Sequence, residues 1–125
     1  DAGRLDELRG LPSDGWDYSR LVRLCEELNA AWGVGSYHSV AMLVRAILDH
    51  IPPIFQQTNF AGVANNYSGA KSFKDPMRHL DGSSRAIADG HLHTQIRASE
   101  VLPNSNQVEF RSGIDALLAE IIRTA

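Results

Sequence analysis

The residues most able to do chemistry lie together in the run Arg85-Ala86-Ile87-Ala88-Asp89-Gly90-His91-Leu92-His93-Thr94-Gln95-Ile96-Arg97. In a continuous helix, Arg85, Asp89, His93 and Arg97 fall four residues apart and form one polar ridge. Guanidinium groups offer forked donors to phosphate, and imidazole moves protons near neutral pH. The ridge therefore reads either as a small-anion or RNA site, or as a solvated row of pairs worth a few tenths of a kcal/mol each. His38, Met42, Arg45 and Asp49 make a second polar face at helical spacing. Arg45 and Asp49 are placed to pair, and on a central helix such a pair must be well satisfied, because desolvation costs several kcal/mol per ion. It either locks two helices or joins the Arg85 ridge in lining one cleft.

Other chemistry is thinner. His91-Leu92-His93 would chelate a metal only in a strand, where alternate residues face one way; no other compact ligand cluster is present, so no metal site is expected. A phosphate-binding loop and a nucleophile elbow are both missing, and Gly33-Val34-Gly35 lacks the third glycine of a dinucleotide fingerprint, so no cofactor is expected. The single cysteine, Cys25, lies among Leu21, Leu24 and Leu28 and reads as a small core residue. Asn66-Tyr67-Ser68 is a chance glycosylation match. Trp16 and Trp32 read as packing residues, and Lys71, Lys74, Arg78 and His79 as a solvated basic cluster at a helix start.

The elements that must position these groups are helical. Residues 1–16 carry Leu5, Leu8 and Leu11, then Pro12, Asp14 and Gly15: a brief helix and a turn. Residues 17–125 read as a single helical domain. Its first helix, Asp17 to Trp32, has an apolar stripe from Leu21 to Trp32 and stops at Gly33. A second opens at Ser36 as cap and is apolar round most of its circumference to Ile51, which makes it central; Pro52-Pro53 ends it. Phe55, Phe60 and Val63 anchor short turns over 54–67, and Asn65 to Gly69 is a turn. Asp75-Pro76 suits a helix start and Asp81-Gly82 a break. A further helix is expected from Ser84 to Ser99 on Ala88, Leu92 and Ile96, with Gly90 permitting a kink. After the turn Pro103–Asn106, residues 107–110 read as a short extended segment. Ser112 with Asp115 resembles a capping box for a last helix on Ile114, Leu117, Leu118, Ile121 and Ile122. The expected fold is all-α: an antiparallel bundle of about five helices.

The 125 residues carry 12 basic and 15 acidic side chains, a net charge of −3, without the basic surplus of a protein that clamps long nucleic acid. No apolar run approaches the ~20 residues that span a bilayer, so no membrane is expected, and a lone cysteine fits the reducing cytoplasm. The chain opens Asp1-Ala2-Gly3-Arg4, without a signal peptide or an initiating methionine, and is expected to be a piece of a longer protein.

Arg85 with His91, and Arg45 with His50, match a loose Arg-x4–6-His spacing. On that spacing and on helical architecture from about Asp17 to Thr124, the chain resembles the HEPN superfamily. The run from Glu27-Leu28-Asn29 to Pro52-Pro53, followed by Val63 to Tyr67, is similar to uncharacterised bacterial helical domains attached to other modules. The resemblance implies a bacterial, defence-related setting and a homodimer. In its enzymatic members it implies a metal-independent ribonuclease, with Arg85 steadying the scissile phosphate and His91 exchanging the proton of the attacking 2′-hydroxyl. Ala86 and Ala46 follow the two arginines where the common pattern has a polar residue. The leading expectation is thus a non-enzymatic ligand-recognition or assembly module, contacting other domains of its own protein. The alternatives are the ribonuclease, acting on RNA, and a sensor of a nucleotide-like small molecule held between the Arg45 face and the Arg85 ridge.

Overall fold

Dense apolar periodicity forces a helix to bury one stripe, and the strongest stripes of this sequence become the helices that meet at its centre. The computed structural model describes residues 2–12 and 15–125; the expected turn residue Asp14 lies outside them. Among the described residues there are six α-helices and no strand: α1 (Ala2–Arg9), α2 (Ser19–Gly33), α3 (Tyr37–His50), α4 (Phe60–Asn66), α5 (Lys71–Ile87) and α6 (Arg111–Thr124). A 3-10 turn spans Pro52–Phe55 and a π turn Ala88–Leu92.

α3 is central, as its apolar circumference predicts. Val40, Ala41, Val44, Ile47 and Leu48 are buried, and the helix packs on α2, α5 and the π turn. α2 contributes Leu21, Cys25 and Ala31, and burial pushes the Cys25 thiol up to about 11, so it is a packing group and not a nucleophile. α1 tucks Leu5 and Leu8 against this core and packs on α2 and α6. The α2–α3 corner is closed by Gly35 at φ +73°, a conformation that costs glycine little. Around it, Gly35 N–H donates to the Trp32 carbonyl and Ser36 N–H to that of Ala31, the paired bonds of a Schellman ending. Ser36 makes no side-chain cap.

The structure redraws the second half. α5 begins at Lys71, not at Asp75-Pro76, and runs on through Asp81-Gly82. Pro76 removes one backbone donor, but buried Phe73, stacked with Phe55 and edge-on to Tyr67, anchors the first turn. Leu80 and Ser84, also buried, hold the helix through the expected break. The expected helix Ser84–Ser99 is not formed: α5 ends at Ile87, the π turn follows, and 93–102 are irregular and exposed throughout. Ile96 is the reason: it is 94% exposed, so nothing pays for coiling a polar segment around it. The Thr94 hydroxyl instead donates to the Gly90 carbonyl at 2.7 Å.

The expected extended segment over 107–110 is also absent. Residues 105–108 form a turn, with Asn104 and Gln107 exchanging backbone-to-side-chain bonds of 3.0 and 3.1 Å. The Ser112–Asp115 capping box does not form either: α6 starts at Arg111 after Phe110, and Asp115 accepts from Arg4 on α1. A side-chain cap is found instead at Asn59, which accepts from Gly62 N–H at 2.8 Å and opens α4. α5 and α6 approach closely at Gly113, where a Cβ would sit 3.3 Å from a Leu80 methyl.

Candidate functional site

Of the two polar faces read from the sequence, Arg45 and Asp49 of one and Arg85 of the other come together, along the seam between α3 and α5. Arg45 donates to Ser84 Oγ at 3.0 Å, to Asp81 Oδ1 at 3.4 Å and to Asp49 Oδ1 at 3.3 Å. Arg85 donates to the same Asp81 oxygen at 3.1 Å. Asp81 is thus clasped by two guanidinium groups. The Arg45 and Asp81 side chains are 18% and 16% exposed, whereas Arg85 is 55% exposed. Two cations face two carboxylates, so the cluster is balanced within itself. An anion would have to compete with carboxylates to reach the mostly buried Arg45.

The Arg85–Asp89–His93–Arg97 ridge does not exist as a continuous face, because the helix that would carry it stops at Ile87. Asp89 lies in the π turn, exposed; His93 lies just past it; Arg97 lies in the irregular segment, paired with Glu100 at 3.5 Å. His91 projects from the π turn against His38 of α3, edge to face with ring centroids 6.2 Å apart. Among the described residues no three His, Cys, Asp or Glu side chains converge as a metal site would require.

A concave, mostly apolar surface with polar groups among its lining lies elsewhere, between α2, α3 and α6. It is a half-open cleft of about 510 Å³. Leu28 and Trp32 of α2, Val40 and Val44 of α3, and Ile114 and Leu118 of α6 form its walls. Arg111 lies over the Trp32 ring at 4.7 Å, and Tyr37 meets the same ring edge-on at 6.0 Å. Arg111 also grips Glu109 through Nε and Nη2, while Glu109 Oε1 accepts the Arg111 backbone N–H at 3.1 Å. The bond to Arg111 holds the Glu109 carboxyl below the usual glutamate range. Asn29, Ser112 and Asp115 stand at the lip.

Comparison with known protein families, curated proteins and solved structures finds no match.

None of the candidate site residues read from the sequence lines this cleft. Its signal was weak: Trp32 and Leu28 sat in a core stripe, and only their half-exposure marks them as walls of a cleft. A second groove of about 530 Å³ runs between α5, the 105–110 stretch and α6. Within it Ser83 Oγ lies 3.4 Å from His79 Nε2, with no carboxylate bonded to the other imidazole nitrogen among the described residues. At the far end of α6, Tyr67 donates to the nearly buried Glu120 at 2.6 Å, and Arg123 grips both Glu120 oxygens at 2.8 and 2.7 Å. The Arg123 bonds, then the Tyr67 hydroxyl, hold the Glu120 carboxyl below its ordinary value, while burial and Glu120 push the Tyr67 phenol up.

Proposed function

We propose that this chain is a non-enzymatic ligand-recognition module, and that its ligand sits in the cleft between α2, α3 and α6. The observation that carries this reading is the cleft itself. Its volume falls in the range of small-molecule sites, its walls are apolar, and a few polar groups stand at its lip, which is the usual composition of such a site. The walls come from three helices that the fold holds firmly, so the cavity is formed in advance of the ligand and little ordering is needed on binding. The module would serve a larger bacterial protein by reporting occupancy to its neighbours.

The ribonuclease reading has less to support it. Arg85 is engaged by Asp81 and His91 faces His38, so neither is turned to a shared phosphate. Incubation of the protein with mixed RNA in EDTA is expected to leave the RNA intact, in parent and in the Arg85→Ala/His91→Ala variant alike; cleavage by the parent alone would replace the recognition reading with the enzyme.

The direct test is a fragment screen followed by backbone NMR shifts, on the parent and on Leu28→Phe, which narrows the cleft without altering its charge. Hits are expected to shift Leu28, Val44, Ile114 and Leu118 together and to lose affinity in the narrowed variant. Hits that scatter over the surface, or that ignore the variant, would refute the site.

A further inference from the structure

We infer that the ligand of the α2–α3–α6 cleft is uncharged: a planar, mostly apolar small molecule with one amide-like hydrogen-bonding edge that is read by Asn29. This rests on the cleft being the ligand site. Charge at the lip is already matched. The Arg111 guanidinium is held by Glu109 and sits over the Trp32 ring. Glu109 also accepts a backbone amide in the first turn of α6, so the positive end of that helix has a carboxylate on it. Asp115 accepts from Arg4 at 3.2 Å. An anionic ligand would compete with Glu109 for Arg111, and a cationic one with Arg4 for Asp115. Either would also bring an uncompensated charge against walls made by Leu28, Val44, Ile114 and Leu118, which is costly.

What the lip does leave open is neutral. The Asn29 amide, exposed on α2, makes no hydrogen bond among the described residues, and neither does the exposed Ser112 hydroxyl on α6; both line the cleft. An amide carries both donor and acceptor, so Asn29 is matched by a ligand edge that carries both. Arg111 covers one face of Trp32, and what the ring still contributes to the cleft wall favours a flat ring system over a branched chain. This departs from the nucleotide-like ligand that the two arginine faces suggest in the sequence. Arg45 and Arg85 are both engaged by Asp81 at the α3–α5 seam, Arg97 pairs with Glu100, and none of the three lines the cleft.

Three probes of one shape and different charge test this: benzamide, benzoate and benzamidinium. They are titrated into the Trp16→Phe protein, where Trp32 is the remaining tryptophan of the two and its emission reads the cleft. Benzamide is expected to quench Trp32 saturably and to bind about tenfold or more tightly than either ion. Asn29→Leu, a surface change checked for an unaltered melting curve, is expected to weaken benzamide about threefold to tenfold, and to leave the two ions unaffected. Saturable binding of benzoate or benzamidinium as tight as that of benzamide would overturn the inference and leave the cleft standing as a site. So would benzamide binding that ignores Asn29→Leu. Quenching by none of the three, or quenching unchanged in Leu28→Phe, would remove the cleft and the inference with it. Trp32 emission that depends on protein concentration without any probe would show a second copy filling the cleft, and would also overturn it.

Discussion

At the scale of single residues, the seam and the α6 end make different demands. Asp81 holds two guanidinium groups in a mostly buried place, and removing one partner of such a set strands the others. Asp81→Ala should therefore cost roughly 2–3 kcal/mol, below the full buried-pair figure because some solvent reaches the site. Arg85→Ala should cost less than about 1 kcal/mol, since its pair is half exposed. Urea melts of both variants check the ranking; equal losses would mean that Asp81 does not clasp Arg45. Glu120 gives the pH dependence. Its folded-state pKa lies below the ordinary 4.5, so as pH falls below 4.5 the unfolded chain takes up a proton that the folded one refuses. The stabilisation is complete above 4.5 and is lost as pH drops through the folded value. Tyr67→Phe removes one of the bonds that holds the carboxylate ionised. It should cost about 1–2 kcal/mol at pH 7 and flatten the loss of stability as pH falls below 4.5; thermal melts on either side of that pH would show an unchanged slope if the bond were idle.

At the scale of elements, α5 shows which signal wins when local and tertiary preferences disagree. Pro76, Asp81 and Gly82 are breakers by local chemistry, yet Phe73, Leu80 and Ser84 fall on one buried face and carry the helix through them. Gly82 is exposed, and a Cβ there meets nothing within 4 Å. Gly82→Ala should thus raise stability by up to about 1 kcal/mol, read as a higher denaturant midpoint; a lower one would mean that the glycine relieves a strain. The same helix explains what the sequence made legible. α2, α3 and α6 were plain because Leu21-Cys25, Val40-Val44-Ile47 and Leu117-Ile121 repeat without interruption. The Arg45–Asp49 pair was plain because its spacing is local. Asp81 is hidden by its resemblance to a break, and the expected helix over 84–99 rests on Ile96, which finds no partner surface among the described residues. The cleft was out of reach, because Trp32 and Arg111 are brought together only by the packing of distant segments.

At the scale of the whole molecule, stability is uneven. The core gathers side chains from all six helices, whereas 93–102 is exposed along its length, with Ile96, Val101 and Leu102 turned to solvent. Limited trypsin digestion should cut first after Arg97, since a protease needs an extended, accessible backbone and the helical arginines do not offer one. A first cut inside α2 or α6 would contradict that order. The buried thiol of Cys25 has a consequence of its own. It is 4% exposed and its ionisation is suppressed by its surroundings, so an alkylating reagent can reach a reactive sulfur only while the α1–α2–α3 region is open. The rate at which the protein gains mass in such a reagent is then a clock for that opening, installed in the chain without any label, and a ligand that clasps α2 would make the clock run slower.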